Sequence, residues 1–190
     1  MGVPLLSRYI LRPLLRNPLI KIILALFLFY LLLYPAYWQN EDTTVSIPQY
    51  QVIDGDSLRY RKTDGKHQEI RLWGIDAVEL FQTCRSGRNT IPCGQHAKDA
   101  LVSFLRHADI HCTHKDTDRY QRDVMQCFAH TSQAKYDIAA WMVEQGWALD
   151  YRQHSHGFYR SYEDKAKKSK SGIWAYHFDK PYEWRQKHRR

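Results

Sequence analysis

The chain has 190 residues, 44% of them hydrophobic and 25% charged, with nine glycines and seven prolines; these values exclude a wholly disordered chain and a collagenous or low-complexity one. The length accommodates one ordinary domain and an appendage. The formal charge of +8 is unevenly spread: residues 1–40 carry four cations and no carboxylate, residues 41–151 carry thirteen cations against sixteen carboxylates, and residues 152–190 carry eleven against four.

The N-terminal forty residues have the pattern of a membrane anchor. Ile22 to Trp38 runs without a charge (IILALFLFYLLLYPAYW). As a helix it would be about 25 Å long, and about 30 Å from Leu19, which matches the hydrocarbon thickness of a bilayer. Lys21 can snorkel to one interface, and Tyr34, Tyr37 and Trp38 suit the other. Arg8, Arg12, Arg16 and Lys21 precede or open the run, while Glu41 and Asp42 follow it. The positive-inside rule then predicts a cytoplasmic segment 1–18, a transmembrane signal anchor 19–38 and an extracytoplasmic remainder, periplasmic or extracellular. A cleaved signal peptide is the alternative. The run exceeds the usual apolar core of such peptides, and Tyr34 two places before Ala36 spoils a small-residue cleavage site.

Residues 39–47 read as a polar linker. Tyr50 to Ile53 reads as a strand entering Asp54-Gly55-Asp56, and Ser57 to Arg61 alternates with Leu58 and Tyr60 on one face. Asp64-Gly65 is a hairpin signal, and Glu69 to Trp73 alternates with Ile70 and Leu72 inward. Residues 78–93 read as a long polar loop. Ala97, Ala100, Leu101, Phe104 and Leu105 have helical spacing. Ala108 to His114 and Val124 to Ala129 read as two further strands. Asp137 is placed to cap a helix over Ile138 to Gln145 that Gly146 ends. Tyr159 to Ser169 reads as a lysine-rich third helix. Five short strands with three interleaved helices, an α+β arrangement, suit a small closed barrel of the OB type, spanning residues 48–185 and followed by a basic tail 186–190.

The four cysteines, Cys84, Cys93, Cys112 and Cys127, form no C-x-x-C motif, and His111-Cys112-Thr113-His114 has no second cluster to complete a zinc site. In an exported domain an even count favours disulfides. Of three possible connectivities, Cys84–Cys93 closes one polar loop, and Cys112 and Cys127 occupy two apolar-alternating segments that can be neighbouring strands. The alternative is four reduced, partly buried thiols.

Three polar clusters stand at strand ends: Asp54-Gly55-Asp56-Ser57; Arg71-Leu72-Trp73-Gly74-Ile75-Asp76-Ala77-Val78-Glu79; and Asp118-Arg119-Tyr120-Gln121-Arg122. Singly each has a bland reading, as a turn, a solvated strand face or a cap. Together, and in this order, they resemble the staphylococcal nuclease (thermonuclease) family, whose patterns are D-G-D-[TS], R-L-x-G-[IV]-D-A-P-E and D-x-Y-G-R. Gly94-Gln95-His96-Ala97, Gly172-Ile173-Trp174 and Pro181-Tyr182-Glu183-Trp184-Arg185 extend the resemblance, which runs from about Tyr50 to Arg185. Val78 stands where the family has Pro, and Gln121 where it has Gly. Loss of that Gly matters only if the backbone there needs a positive φ.

The resemblance implies a Ca²⁺-dependent nuclease acting on DNA and RNA, cleaving on the 5′ side of the phosphate. It assigns Asp56, Asp76 and the Ala77 carbonyl to Ca²⁺, Glu79 to the attacking water, and Arg71 and Arg122 to the scissile phosphate, with Asp54, Ser57 and Asp118 in support. The chemistry is coherent. Carboxylates, a carbonyl and waters are hard ligands suited to Ca²⁺, and forked guanidinium groups stabilise charge on phosphate oxygens. Tyr120 and Tyr151 are candidates for stacking on bases, which would give weak sequence dependence. Lys165, Lys167, Lys168 and Lys170 of the third helix, and Arg185, Lys187, Arg189 and Arg190 of the tail, can attract nucleic acid or anionic lipid, a solvated face being the default for the helix. A monomer tethered by its N-terminal helix is expected. A non-catalytic nucleic-acid-binding module on the same barrel is the alternative, though such a domain would have no need of all five charged side chains Asp56, Arg71, Asp76, Glu79 and Arg122.

Overall fold

A computed structural model of the protein describes residues 18–38 and 44–188, the side chains of 32–38 excepted. The expected cytoplasmic segment through residue 17, residues 39–43 of the expected linker, the Tyr34, Tyr37 and Trp38 side chains, and Arg189 and Arg190 lie outside the described residues. The chain divides into two compact units, Met1–Asp42 and Thr43–Arg190.

The first unit contributes helix α1, Pro18–Trp38, at the position expected of the anchor. Its Ile22, Ile23, Leu26, Phe27 and Leu28 side chains are exposed. Among the described residues no helix is long and apolar enough to cross a membrane; the side chains of the second half of the apolar run, from Leu32, are not among them.

The second unit is built on a seven-stranded mixed sheet. In chain order its strands are β1 (Thr44–Ile47), β2 (Tyr50–Val52), β3 (Ser57–Arg61), β4 (His67–Leu72), β8 (Asp109–Thr117), β9 (Asp123–His130) and β10 (Lys135–Asp137). Hydrogen bonding runs β1-β8-β9-β4-β3-β2, with β10 added to β9. All pairs are antiparallel except β4 with β9. The two ends of that path, β1 and β2, are separated in sequence by Pro48 and Gln49 alone. So few residues reach about 10 Å, so the sheet must curl until its edges meet. The α+β arrangement expected from the sequence is present, but its sheet is an open barrel of seven strands, with no pairing of β1 to β2 among the described residues, where a closed one of five was expected. Residues 44–47, expected to be linker, form β1: Ile47 is buried and the whole strand pairs with β8, although four residues are too few to show alternation.

Outside this sheet, β5 (Ile75–Ala77) pairs with β11 (Ala148–Asp150). The segment 78–93 is not a plain loop, because Cys84–Ser86 (β6) and Asn89–Ile91 (β7) form a small hairpin. The three expected helices are α2 (Cys93–Leu105), α3 (Ile138–Glu144) and α5 (Arg160–Ser169). Two short ones were not foreseen, α4 (Arg152–Ser155) and α6 (Pro181–Lys187), nor was the 3-10 turn Gly172–Ala175. The Asp137 side chain caps α3 by accepting from Ala140 N–H at 3.1 Å. Ala97, Leu101 and Leu105 of α2 pack on Leu58, Ile70, Leu72, Ile110 and Met142 in one core. Each such Leu or Ile contributes about 1.5–3 kcal/mol by its burial. Both expected disulfides, Cys84–Cys93 and Cys112–Cys127, are formed, and no cysteine is free among the described residues. Cys112 and Cys127 are directly opposite on β8 and β9.

Candidate active site

Strand register brings the charged clusters to one end of the barrel. Ser57 is opposite Arg71 across β3 and β4, so Asp56, one residue before β3, meets the Arg71 side chain. Arg71 is beside Val124 across the parallel β4–β9 pair, so Arg122, just before β9, comes to the same end. Strand β5 follows β4 after the turn Trp73-Gly74 and carries Asp76 at its centre. The Asp54-Gly55-Asp56 turn lies tight on β5: a Cβ on Gly55 would be 2.8 Å from the Ala77 Cβ, closer than side-chain carbons approach one another.

The result is a chain of alternating charges. The Asp56 carboxylate is buried and accepts from Ala77 N–H at 2.7 Å, Ser57 Oγ at 3.1 Å and Arg71 Nη1 at 2.5 Å. Arg71 Nη2 donates to Asp76 Oδ1 at 3.0 Å and to the Ile75 carbonyl at 3.3 Å. Asp54 Oδ1 accepts from Asp56 N–H at 3.0 Å. Asp76, also buried, is gripped from its other side by Arg185, whose Nη1 and Nη2 donate to Oδ1 and Oδ2 at 2.9 and 3.1 Å. The same Arg185 Nη1 donates to Glu79 Oε1 at 2.6 Å. Glu79 Oε2 makes no hydrogen bond among the described residues.

Burial pushes the Asp56 carboxyl up to about 7, helped by Asp54 and Asp76, while Arg71 and the Ala77 N–H pull it down. Burial works against the charged forms of Arg71 and Arg185, but the carboxylates around each outweigh it and raise both above the usual arginine range. Four carboxylates, those of Asp54, Asp56, Asp76 and Glu79, share two guanidinium groups. That excess of negative charge on hard oxygen donors fits a divalent cation such as Ca²⁺. Among the described residues no three His, Cys, Asp or Glu side chains are grouped to hold a metal ion, so a cation there would have two carboxylates and water rather than a protein cage.

Asp54, Arg71, Glu79 and Arg185 line a cleft of about 790 Å³ that also takes in Arg122, Tyr120 and Tyr151, while the buried Asp56 and Asp76 meet its lining through Arg71 and Arg185. Arg122 Nε and Nη2 both reach Asp118 Oδ2, at 2.8 and 2.7 Å, which leaves its Nη1 without a hydrogen-bond partner among the described residues. Asp118 also accepts from the Tyr120 and Arg122 backbone N–H groups; these bonds, opposed by burial, hold its carboxyl below the ordinary range. Tyr120 is exposed, with the Arg119 and Arg122 guanidinium groups 4.9 and 5.6 Å from its ring centre. The Tyr151 N–H donates to the Gly74 carbonyl, and its ring lies 4.7 Å from that of His154.

Of the five charged residues expected from the sequence, Arg71, Glu79 and Arg122 line one cleft with Tyr120 and Tyr151 on its wall, and Asp56 and Asp76 are buried next to it, hydrogen-bonded to Arg71. Two residues were missed. Arg185 was assigned to a diffuse basic surface, yet it reaches the centre of the acidic cluster. Gln82, buried in the segment read as loop, donates to the Asp179 carbonyl at 2.6 Å and accepts from Glu79 N–H at 3.1 Å. A fully buried glutamine leaves no periodic trace in a polar stretch. The only signal for Arg185 was its place in the Pro-Tyr-Glu-Trp-Arg ending.

A family model described as "Staphylococcal nuclease homologue" matches residues 69–176. Succinoglycan biosynthesis protein ExoI of Rhizobium meliloti is 32% identical over 130 residues, covering 67% of this chain and 64% of that protein. An uncharacterized endonuclease of Haemophilus influenzae is 30% identical over 138 residues, 72% of this chain and 70% of that one. A probable endonuclease LCL3 of Leptosphaeria maculans is 31% identical over 113 residues, 56% of this chain and 37% of that one. The chain therefore spans between about a third and two thirds of the length of these relatives.

Proposed function

Because the chain belongs to the staphylococcal nuclease homologue family, we propose that it is a nuclease hydrolysing phosphodiester bonds of DNA and RNA with little sequence dependence. The observation that carries this reading is that Arg71, Glu79 and Arg122 line one open cleft, with Asp56 and Asp76 hydrogen-bonded to Arg71 beside it, the five being drawn from three separate segments. Hydrolysis needs a positioned water, a proton acceptor and donors for the charge that grows on the non-bridging oxygens. Glu79 Oε2, which no donor among the described residues occupies, accepts the water proton. The water oxygen bonds to phosphorus, the P–O5′ bond breaks, and the departing 5′ oxygen takes a proton from solvent, leaving a 3′-phosphate and a 5′-hydroxyl. Arg122 offers its unused Nη1 edge to the phosphate, and Arg71 the N–H groups not spent on Asp56, Asp76 and Ile75. Tyr120 and Tyr151 give flat faces on which bases of any sequence stack.

Asp56 and Asp76, with the Ala77 carbonyl, would hold Ca²⁺. When bound it would supply positive charge beside the phosphate. With so few protein ligands the affinity should be on the order of 10⁻⁴–10⁻³ M, which suits a compartment rich in calcium. We place the nuclease unit outside the cytoplasm, tethered by α1 as a monomer. The support is the uncharged run after Lys21, the exposed apolar side chains of α1, the carboxylates that follow it, and two disulfides in the second unit.

The test is digestion of plasmid DNA and of a single-stranded RNA by the purified protein with Ca²⁺, with Mg²⁺ and with chelator. Cleavage with Ca²⁺ that stops on chelation is expected. Binding without cleavage under every condition would leave a nucleic-acid-binding module instead.

A further inference from the structure

We propose that Arg185 is a positioning residue of the active site, bridging Asp76 and Glu79 so that the free oxygen of Glu79 stays aimed at the attacking water; the proposal rests on the nuclease reading above. Three hydrogen bonds carry it. Nη1 donates to Asp76 Oδ1 and Glu79 Oε1 together, and Nη2 donates to Asp76 Oδ2. A planar fork can make this set of bonds, whereas an ammonium group cannot hold two carboxylates in a fixed plane. Without the bridge Glu79 stands on a partly exposed loop beside three other carboxylates and would swing away from them.

The surrounding segment is built to deliver this side chain. The C-terminal stretch is joined to the Glu79 loop at two further points. The backbones of Arg85 and His177 form a reciprocal bridge, and Gln82 links the Asp179 carbonyl to the Glu79 N–H. Pro181, buried at the start of α6, sets the direction of the helix, and Glu183 accepts from the Lys180 N–H at its first turn. Arg185 is one turn further on, and the Trp184 ring beside it stacks on His188 at 4.1 Å. The family match ends before this helix, at residue 176. The chain thus completes its acidic centre with an arginine more than a hundred residues away in sequence.

The experiment compares wild type, Arg185→Gln, Glu79→Gln and the double variant by kcat and KM on a single-stranded oligonucleotide at saturating Ca²⁺, with thermal melts to check folding. Arg185→Gln should lower kcat about 10²-fold, the scale of a misplaced catalytic group, with KM within about threefold. The double variant should be no slower than Glu79→Gln, because Arg185 acts through Glu79. Guanidinium ion in solution should restore part of the kcat of Arg185→Ala. A wild-type kcat in Arg185→Gln, or losses that multiply in the double variant, would overturn the proposal. So would tighter Ca²⁺ binding by calorimetry with no fall in kcat, since the arginine would then only fill the place of the cation. Should Arg185→Gln fail to fold, Arg185→Lys replaces it: a fall of about tenfold supports the bridge and an unchanged kcat refutes it. The ¹³C resonance of the Glu79 carboxylate should also move in the Arg185 variant. That readout does not need turnover: an unmoved resonance refutes the bridge, whereas a wild type that cleaves nothing refutes the nuclease reading alone.

Discussion

At the scale of single residues, the strongest expectation concerns Glu79. Glu79→Gln keeps the size of the side chain and can still accept from Arg185, but it cannot take a proton from water. The rate should fall by about 10²-fold or more while the melting temperature stays near wild type; activity within threefold of wild type would remove Glu79 from the chemistry. Gln121 gives a second prediction. It closes the turn from Asp118, its N–H donating to the Asp118 carbonyl at 2.9 Å, and its φ is 62°, in the left-handed region. A side chain there costs about 1 kcal/mol or more, and a β-branched one is worse. Gln121→Gly removes that strain but frees the unfolded chain by about 0.5–1 kcal/mol, so it should be near neutral. Gln121→Val should cost at least about 1 kcal/mol in urea unfolding, and equal midpoints for the three proteins would show that the turn relaxes. That a Gly-requiring backbone persists under a Gln was open in the sequence, since φ cannot be read from residue type. Asp56, Arg71, Asp76 and Glu79 were legible because each is in a short motif whose spacing is fixed by one turn. Arg185 was not, because its partners are 106 and 109 residues away and it was grouped with the other cations of the C-terminal tail.

At the scale of elements, the segment between β5 and α2 decides where Glu79 points. It is fastened at its far end by the Cys84–Cys93 disulfide, and at its near end it lies directly against the first turn of α2. A Cβ on Gly94 would be 1.8 Å from the Glu79 carbonyl and 2.5 Å from that of Leu80, which is impossible without moving backbone. Gly94→Ala should therefore cost about 1–3 kcal/mol, as overpacking does, and reduce kcat with it, because the displaced backbone carries the Glu79 side chain. A loss of stability with unchanged kcat would show that the loop yields elsewhere. Replacing Cys84 and Cys93 together by Ser should cost about 2–3 kcal/mol, the chain-entropy value for so short a loop, read as a lower urea midpoint than oxidised wild type; under reducing agent, which also opens Cys112–Cys127, the two proteins should have the same midpoint. The longer strands and three helices were legible, since alternation and helical spacing need five or more residues to show. The four-residue β1, the three-residue strands β6 and β7, and α6 were not. Apart from β1, half of which is apolar, their sequences are polar on most positions, and all are held by their partners rather than by a pattern of their own.

At the scale of the whole molecule, charge, sulfur chemistry and apolar length bear on one question, which side of a membrane the barrel occupies. The first forty residues carry cations only on the N-terminal side of the uncharged run, and carboxylates follow it at Glu41 and Asp42. Translocation against that bias would carry four positive charges across the bilayer, so the basic end should stay in the cytoplasm. The two disulfides lead to the same side by an independent route, because the cytoplasm keeps thiols reduced and oxidising compartments do not. The weak calcium site proposed above would lead there too, since only outside the cytoplasm is calcium plentiful enough to fill it. The expected outcome is that full-length protein stays with the membrane fraction through an alkaline carbonate wash, while a chain lacking residues 1–40 is recovered in the soluble fraction. On sealed cells or spheroplasts, an impermeant maleimide should label the protein after mild reduction and not before. Labelling that requires lysis would put the barrel in the cytoplasm and break the link between disulfides and export; release by the carbonate wash would mean that α1 lies on the membrane or elsewhere rather than through it. The two readouts are separable because orientation depends on the flanking charges and retention on apolar length. Moving Arg12 and Arg16 to acidic residues should therefore scramble the labelling while leaving retention intact.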